Sequence, residues 1–237
     1  MATNQPQTPR EVPADGLPVG RLAFLGTIAA GIAGIAIAPK ISGAVNSALS
    51  DAGGALGGLM PPSGWRIYSV SSPLPRFDPR TYTLVLDGEV ARPRTLGWKD
   101  VAALPGERQV STFHCVTGWT VENVHWEGIR SRTLVELVQP RSAARFVTLY
   151  SLEEPYVDQI DLDQFLLSDV MLARHMDGKP LTRAHGAPLR LVIPEMYGYK
   201  GVKWVKRISF DTEQSNGYWE ARGYDVDAWI GRSNGYG

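Results

Sequence analysis

A single cysteine, Cys115, constrains this chain of 237 residues more than any other feature. One cysteine cannot form an intrachain disulfide or a cysteine-rich zinc site, so it is a buried structural thiol, a nucleophile, or the one thiolate on a soft metal. The length is enough to bury a real core, and the hydrophobic fraction of 43% is ordinary for a globular protein. The formal net charge is zero, and nothing in the composition indicates a nucleic-acid-binding protein.

Three segments precede the expected folded domain. Residues 1–20 are rich in Pro, Thr, Gln and Asp and are predicted to be disordered. Segment 21–39 contains an uncharged apolar run from Leu22 to Ala38, which favours a transmembrane anchor or an export signal over a buried soluble helix. Residues 40–64 are rich in Gly, Ala and Ser and predict a flexible linker. We therefore expect the folded domain to occupy residues 65–237.

The start and end of the apolar run bear on localisation. Gly20-Arg21-Leu22 resembles a twin-arginine export signal whose second arginine is replaced by leucine. Ala36-Ile37-Ala38 resembles a cleavage site, but Pro39 disfavours cleavage. We expect a retained anchor or export signal, with the catalytic domain on the periplasmic, extracytoplasmic side. Two alternatives stay open: a partner carries the chain across the membrane, or the domain faces the cytoplasm.

Within residues 65–237 the sequence mixes strand and helix patterns without a regular βαβ period. The pattern therefore predicts an α+β fold of mixed sheets with short helices. An Asp87-Gly88 turn indicates a hairpin, and the C-terminal stretch from Trp219 is expected to wrap the surface. Strands are predicted over Tyr82–Gly88, Gln109–Val116, Arg145–Tyr150, Pro188–Pro194 and Val202–Phe210, and helices over Trp98–Leu104, Arg132–Val138, 164–167 and 170–173.

Five ordered blocks between about Phe77 and Tyr224 resemble the molybdopterin-binding domain of the sulfite oxidase superfamily. The resemblance implies the sulfite oxidase-type fold and a molybdenum-molybdopterin cofactor. No single block is specific, whereas all five in this order make a chance likeness improbable. The blocks are Tyr82–Val90, Phe113–Gly128, Asp169–Leu181, His185–Pro194 and Tyr197–Val205.

The resemblance implies roles for particular residues. Cys115 is implied as the molybdenum ligand, which suits soft thiolate chemistry. The pterin carries a phosphate, which needs positive charge and hydrogen-bond donors. Without the resemblance, an arginine or lysine at a strand end is usually a solvated side chain. The residues implied in cofactor binding are Ser151, His185, Arg190, Gly201, Val202 and Lys203.

On the substrate side, the resemblance places Tyr156 near the metal, where its hydroxyl would donate a hydrogen bond to the substrate or to a metal oxygen. A packed tyrosine is the alternative. Trp119 and Trp126 either wall the site or belong to the core. His114 and His125 flank the cysteine block and are expected to be ordinary packed or surface histidines, with tuning of the thiolate or a place in the pocket as the alternative. His175 is expected to be structural, on a helix.

The resemblance implies an oxidoreductase that couples oxygen-atom transfer to two-electron transfer. Val116–Trp119 replaces the arginine-rich segment of eukaryotic sulfite oxidases, and we find no counterpart of their additional C-terminal domain. The chain therefore resembles the short bacterial members, among them the periplasmic methionine sulfoxide reductase catalytic subunit. We expect reduction of an S- or N-oxide such as methionine sulfoxide, with oxidation of a small oxyanion such as sulfite as the alternative.

Two further function classes stay open. A cysteine hydrolase would need a histidine and an Asn or Asp that converge on Cys115. A membrane-tethered, non-catalytic subunit of a larger complex would keep only the fold, but the retention of Cys115, Arg190 and Lys203 argues against it. An enzyme would need a separate haem- or quinone-linked membrane partner for its electrons, because the chain has no CxxCH haem motif.

Overall fold

The computed structural model describes residues 64–232, and the compact body of the molecule begins at Ile67. The predicted disordered segment 1–20, the apolar segment 21–39 and the linker up to residue 63 lie outside the described residues, as do residues 233–237. In the part of the chain that the structure describes, no helix is long and apolar enough to cross a membrane.

The described residues form two five-stranded sheets with a few short helices, which confirms the predicted mixture of sheets and short helices. The elements in chain order are β1 (Thr83–Gly88), β2 (Arg94–Gly97), α1 (Trp98–Ala103), β3 (Glu107–Cys115), β4 (Trp119–Arg130), α2 (Ser131–Val138), β5 (Phe146–Ser151), β6 (Val157–Asp161), α3 (Leu162–Phe165), β7 (Met171–Met176), β8 (Lys179–Pro180), β9 (Arg190–Val192), β10 (Val205–Asp211) and a 3₁₀ helix (Glu220–Arg222).

The first sheet has the strand order β2-β1-β10-β5-β6. β1 and β10 are parallel, and every other pair in this sheet is antiparallel. In β1 the side chains of Leu84 and Leu86 are fully buried while their neighbours are not, because successive side chains of a strand point to opposite faces. Gly88 ends β1 at φ +86°, where a side chain would collide with the backbone of Phe210. The antiparallel pairing of β1 with β2 confirms the predicted hairpin.

The second sheet has the order β3-β4-β7-β8, and β9 also pairs with β7. β3 and β4 form a long hairpin in which Cys115 lies opposite Trp119. Where β4 meets β7, a side chain on Gly128 would collide with the carbonyl of Leu172, so glycine permits the close approach of the two strands. A shared core, with Leu86, Ile208 and Leu172 among its members, lies between these elements.

One helix prediction is wrong. Residues 170–173 do not form a helix, since Met171–Met176 is strand β7, paired with β4 on one side and β9 on the other. Met171, Leu172 and Ala173 are all fully buried, because both faces of this strand are covered. A continuous apolar run has no period that separates a buried strand from a buried helix. His175 therefore lies on a strand, not on a helix.

Candidate active site

The thiol of Cys115 lies at the end of β3, where the chain turns into β4. The turn is closed by the Gly118 N–H, which donates to the Cys115 carbonyl at 3.0 Å, and Gly118 has φ +88°. Cys115 is partly exposed, and its Sγ lies 3.2 Å from Thr117 Oγ1. The hairpin thus presents one sulfur at its end with a hydroxyl group beside it.

A loop at residues 197–201 is fixed to this cysteine strand. The Gly198 N–H donates to the His114 carbonyl at 2.7 Å. A side chain on Gly198 would collide with the ring of Phe113, so the backbone of the loop packs directly on that ring. A Cβ on Gly201 would lie 3.6 Å from Arg190 Nη2. The loop therefore brings bare backbone close to both the cysteine strand and a buried cation.

Arg190 begins β9 and is only 4% exposed. Its guanidinium carbon lies 5.5 Å from the ring centroid of Phe113 and 5.1 Å from that of Trp126, within the range of cation–π attraction. Burial lowers the pKa of Arg190 to about 10, so the group stays charged at neutral pH. A fixed positive charge thus lies beside the strand that carries Cys115.

Lys203 and His185 are held together by a glycine turn. Gly186 has φ +101°, and a Cβ there would lie 2.8 Å from the Lys203 Cβ. Burial, with a further contribution from Arg190, lowers the pKa of Lys203 to about 7, although Glu153 acts in the opposite direction. Lys203 Nζ donates to the carbonyl of Tyr68 at 2.6 Å.

His185 is uncharged at neutral pH. Burial, followed by repulsion from Arg190 and Lys203, lowers its pKa to about 4. Its Nδ1 lies 2.8 Å from Thr182 Oγ1. The structure therefore brings His185, Arg190 and Lys203 close enough to influence one another electrostatically, and their roles toward the cofactor stay predictions.

Ser151 and Val202 support this arrangement through backbone contacts. Ser151 Oγ donates to the Lys203 carbonyl at 2.8 Å and accepts from the Glu153 N–H at 2.9 Å. The carbonyl of Val202, a buried residue, accepts from the Leu191 N–H at 2.8 Å. These contacts thus hold the two carbonyl groups on either side of the Lys203 Cα, that of Val202 before it and that of Lys203 itself.

The Tyr156 hydroxyl donates to the carbonyl of Tyr199 in the 197–201 loop, and its ring stacks on Tyr218 with centroids 5.7 Å apart. Burial, together with the carboxyl groups of Asp158 and Glu220, raises the pKa of Tyr156 well above its usual range. Tyr156 also lies near enough to Arg190 to influence its pKa. The hydroxyl is engaged by the loop in this structure, and its role toward a substrate stays a prediction.

Aromatic side chains surround the cysteine turn. Trp119 lies 5.5 Å from Phe113 and 6.4 Å from Tyr68 between ring centroids, and the Tyr68 hydroxyl lies 3.4 Å from Thr117 Oγ1. Trp126 is almost fully buried and belongs to the wall under Arg190. A narrow cleft, partly open to solvent, lies between β3 and the 197–201 loop and is lined by Phe113, Trp126 and Arg190 among others.

Four residues of this site had not been identified from the sequence: Tyr68, Phe113, Thr117 and Gly198. Phe113 is the first residue of the cysteine block, and Gly198 lies in a Tyr-Gly-Tyr triplet, but neither pattern predicts that the two residues meet. His175 and His125 make contacts outside the cysteine turn. His175 Nδ1 lies 3.7 Å from Glu127 Oε1, and the backbone N–H of His125 donates to Asp177.

These donors fit one soft metal bound to an anionic organic cofactor. Cys115 offers a single thiol, Arg190 and Lys203 offer cationic donors, and the glycines of the 197–201 loop let its backbone pack close to Phe113 and Arg190. Among residues 64–232, no group of three or more His, Cys, Asp or Glu side chains could hold a metal ion.

The chain belongs to the family described as the oxidoreductase molybdopterin binding domain, whose model matches residues 71–219. It is a molybdopterin-dependent oxidoreductase, and its cofactor is molybdenum-molybdopterin. The family, the enzyme class and the cofactor expected from the sequence are thereby confirmed.

Several characterised and uncharacterised proteins resemble it. It is 37% identical to the uncharacterized oxidoreductase YuiH of Bacillus subtilis, over 64% of this chain and 77% of that protein. It is 32% identical to the protein-methionine-sulfoxide reductase catalytic subunits MsrP of Campylobacter jejuni and of Pseudomonas syringae, over 61% and 59% of this chain. The matches cover 54% and 46% of those two proteins, about half of each.

Among solved structures, the sulfane dehydrogenase SoxCD from Paracoccus pantotrophus matches with a TM-score of 0.56 at 20% identity. The match covers 60% of this chain and 41% of that chain. At this identity the likeness shows the fold alone.

Replacement of the thiol tests the metal ligand. We expect Cys115→Ser to change the Mo(V) paramagnetic signal and to lower turnover at least about 100-fold, because even outer-sphere partners of a metal site are worth about 10–100-fold. Molybdenum and pterin content per chain, measured on both proteins, shows whether the loss arises from metal binding. An unchanged signal with full turnover would remove Cys115 from the metal site.

The lowered pKa of Lys203 predicts a pH dependence of cofactor loading. Below about pH 7 the ammonium is charged and attracts the anionic cofactor, and above it the charge is lost. The apparent affinity for the cofactor should therefore fall roughly tenfold between pH 6 and pH 8. It is obtained from the pterin content of cofactor-free protein after incubation with isolated cofactor. Lys203→Arg, charged at both pH values, corrects for titration of the cofactor itself. Equal profiles for the two proteins would contradict the assignment.

Proposed function

We propose that this enzyme reduces an S- or N-oxide, such as methionine sulfoxide, by oxygen-atom transfer coupled to two-electron transfer. The observation that carries this direction is that Tyr68, Thr117 and Trp119, which lie at the cysteine turn, are uncharged, while the nearby cations Arg190 and Lys203 are assigned to the cofactor. Such surroundings suit a neutral sulfoxide with apolar substituents, whereas a small oxyanion needs converging cations. Similarity to two methionine-sulfoxide reductases also supports the proposal.

The residues divide into metal ligand, cofactor anchors and substrate donor. Cys115 would hold the metal, Arg190 and Lys203 would bind the anionic part of the cofactor, and neutral His185 would contribute a hydrogen bond without adding charge. The backbone of Gly201 and Val202 would line the same side. When bound, the cofactor supplies the oxygen-atom and electron chemistry, while the protein supplies position and electrostatics.

Tyr156 is the proposed donor to the substrate oxygen. Because its pKa is raised well above the usual range, the phenol keeps its proton at every physiological pH and remains a donor. Its present acceptor is the Tyr199 carbonyl, in the loop that also contacts the cysteine strand. A substrate oxygen near that carbonyl would compete for the same proton. Aromatic walls around the thiol would limit access of water.

Localisation and electron supply belong to the same proposal. The uncharged run within residues 21–39 supports a membrane anchor, with the catalytic domain on the extracytoplasmic side. With one cysteine the chain cannot bind haem through a CxxCH motif, so we propose that a haem- or quinone-linked membrane partner delivers the electrons.

A substrate comparison tests the reaction direction. We expect the loaded enzyme, reduced by a dye, to turn over methionine sulfoxide with a kcat/KM at least about tenfold above that for sulfite oxidation with a dye acceptor. Each rate is normalised to molybdenum content, and Cys115→Ser serves as the background control. A higher value for sulfite would reverse the proposed direction and favour oxidation of a small oxyanion.

Reporter fusions test the location of the domain. Two fusions at the C-terminus are compared, one to a reporter active only in the cytoplasm and one to a reporter active only outside it. We expect activity from the external reporter alone, and loss of that activity when residues 21–39 are deleted, since this segment is the proposed anchor and signal. Activity of the internal reporter alone would place the domain in the cytoplasm.

A further inference from the structure

Three charged side chains meet in the interior next to the site: Lys200, Asp158 and Glu220. Their side chains are 1%, 1% and 2% exposed. Lys200 Nζ donates to Asp158 Oδ1 at 3.0 Å, to the Gln159 carbonyl at 3.1 Å and to Glu220 Oε1. All three ammonium protons thus have an acceptor. We call these three residues the buried triad.

The buried triad is connected to the active site through the 197–201 loop. Lys200 follows Tyr199, whose carbonyl accepts from the Tyr156 hydroxyl, and precedes Gly201, which lies against Arg190. In the same loop, Gly198 is bonded to the His114 carbonyl of the cysteine strand. The 197–201 loop is therefore held at two points. The Lys200 side chain binds it to β6 and the 3₁₀ helix, and the Gly198 N–H binds it to β3.

The charges of the buried triad do not balance if both carboxyl groups are ionised. Asp158 Oδ2 and Glu220 Oε2 are buried and have no hydrogen-bond partner among the described residues. A side chain on Gly217 would collide with both carboxyl groups, so the two groups face one glycine. An uncompensated buried charge is costly. The buried triad is therefore balanced when one of the two carboxyl groups holds a proton.

The surroundings of Asp158 favour its protonated form. Burial raises its pKa, Lys200 acts in the opposite direction and Glu220 raises it again, and the net pKa is about 8. For Lys200 itself, the two carboxyl groups outweigh burial and the pKa is raised. The phenols of Tyr156 and Tyr199, whose own pKa values these carboxyl groups help to raise, also face the buried triad, and Lys200 acts on the carboxyl group of Asp161.

We propose that the buried triad is the positioning device of the active-site loop. The Lys200 ammonium, balanced by one carboxylate and one protonated carboxyl group, fixes the Tyr199 carbonyl for Tyr156 and the glycine backbone for the cofactor. The three residues are positioning residues, since they act through Tyr156 and the loop. The inference rests on the cofactor site and the Tyr156 role proposed above, and it does not depend on which substrate is used.

The charge balance predicts an asymmetry between variants. Glu220→Gln leaves one ammonium and one carboxylate, so we expect normal cofactor content and a kcat within about twofold of the native value at pH 7. Lys200→Met leaves two buried carboxyl groups without a cation, and misplacement of the loop should lower kcat per molybdenum roughly 10- to 100-fold, with a smaller effect on KM. Lys200→Arg should restore most of the loss.

Matched controls come from a surface pair. Lys206 and Glu154 form an ion pair whose side chains are 33% and 77% exposed. Lys206→Met and Glu154→Gln repeat the same substitutions away from the buried triad, and both should leave kcat unchanged.

A pH profile separates positioning by charge from mere packing. In the native enzyme, kcat should fall as the pH rises through about 8, where the second carboxyl group ionises and the buried triad gains net negative charge. In Glu220→Gln a single carboxyl group faces the ammonium, so ionisation of Asp158 brings the buried triad to neutrality and not to a net negative charge, and the alkaline fall should disappear.

The measurements use the full, loaded enzyme, with two readouts. One is turnover of whichever substrate the native enzyme accepts. The other is the Mo(V) signal after dye reduction, which needs no substrate and so distinguishes failure of this inference from failure of the proposed reaction. The inference would be overturned if loaded Lys200→Met kept the kcat and the pH profile of the native enzyme.

It would also be overturned if Glu220→Gln lost as much kcat as Lys200→Met. If Lys200→Met does not fold, the pH profile of Glu220→Gln is decisive, and an alkaline fall in kcat equal to that of the native enzyme would overturn the inference.

Discussion

The hydrogen bond from the Gly198 N–H to the His114 carbonyl joins the two halves of this active site. On one side is the strand that ends at Cys115, and on the other the loop that runs on to Lys203. The bond forms only because residue 198 has no side chain, which lets the loop backbone lie on the ring of Phe113. The same ring lies under the guanidinium of Arg190. The packing of Gly198 on Phe113 thus helps to position Cys115, Arg190 and the 197–201 loop relative to one another.

Electrostatics adds to this constraint. Arg190 and Lys203 are held in surroundings that lower their pKa values, and a charge removed from water interacts more strongly with an anion than a solvated one does. His185 avoids a third adjacent positive charge by remaining neutral. The site is therefore prepared for an anionic cofactor before the cofactor binds, at a cost in burial that the surrounding aromatic rings partly offset.

The fold does not decide the reaction. The chain shares its fold with a sulfane dehydrogenase and its family with methionine-sulfoxide reductases, whose names describe different chemistry. What distinguishes reactions on one fold is the lining of the site. Here the thiol is accompanied by Thr117, Trp119 and Tyr68, and Tyr68 precedes the region matched by the family model. We therefore expect these three side chains to determine which substrates the enzyme accepts.

Local sequence patterns predicted much of the fold. Alternation predicted β1, and helical spacing predicted α2, because each pattern is read from neighbours along the chain. The same reasoning failed at 170–173, where a strand covered on both faces carries no alternation. It also did not find β6, in which three consecutive residues are buried, two of them polar.

By itself, the sequence determined the chemistry that is available: one soft thiol, a few cations and the ordered blocks that place the chain in its family. Only the tertiary structure decided which of those groups converge. Gly198 meets Phe113, and Lys200 meets Asp158 and Glu220, across long stretches of chain. Such contacts depend on strand pairing and burial between distant elements, and no local period encodes them. For the same reason the buried triad, with its unbalanced charge, was visible only in the folded molecule.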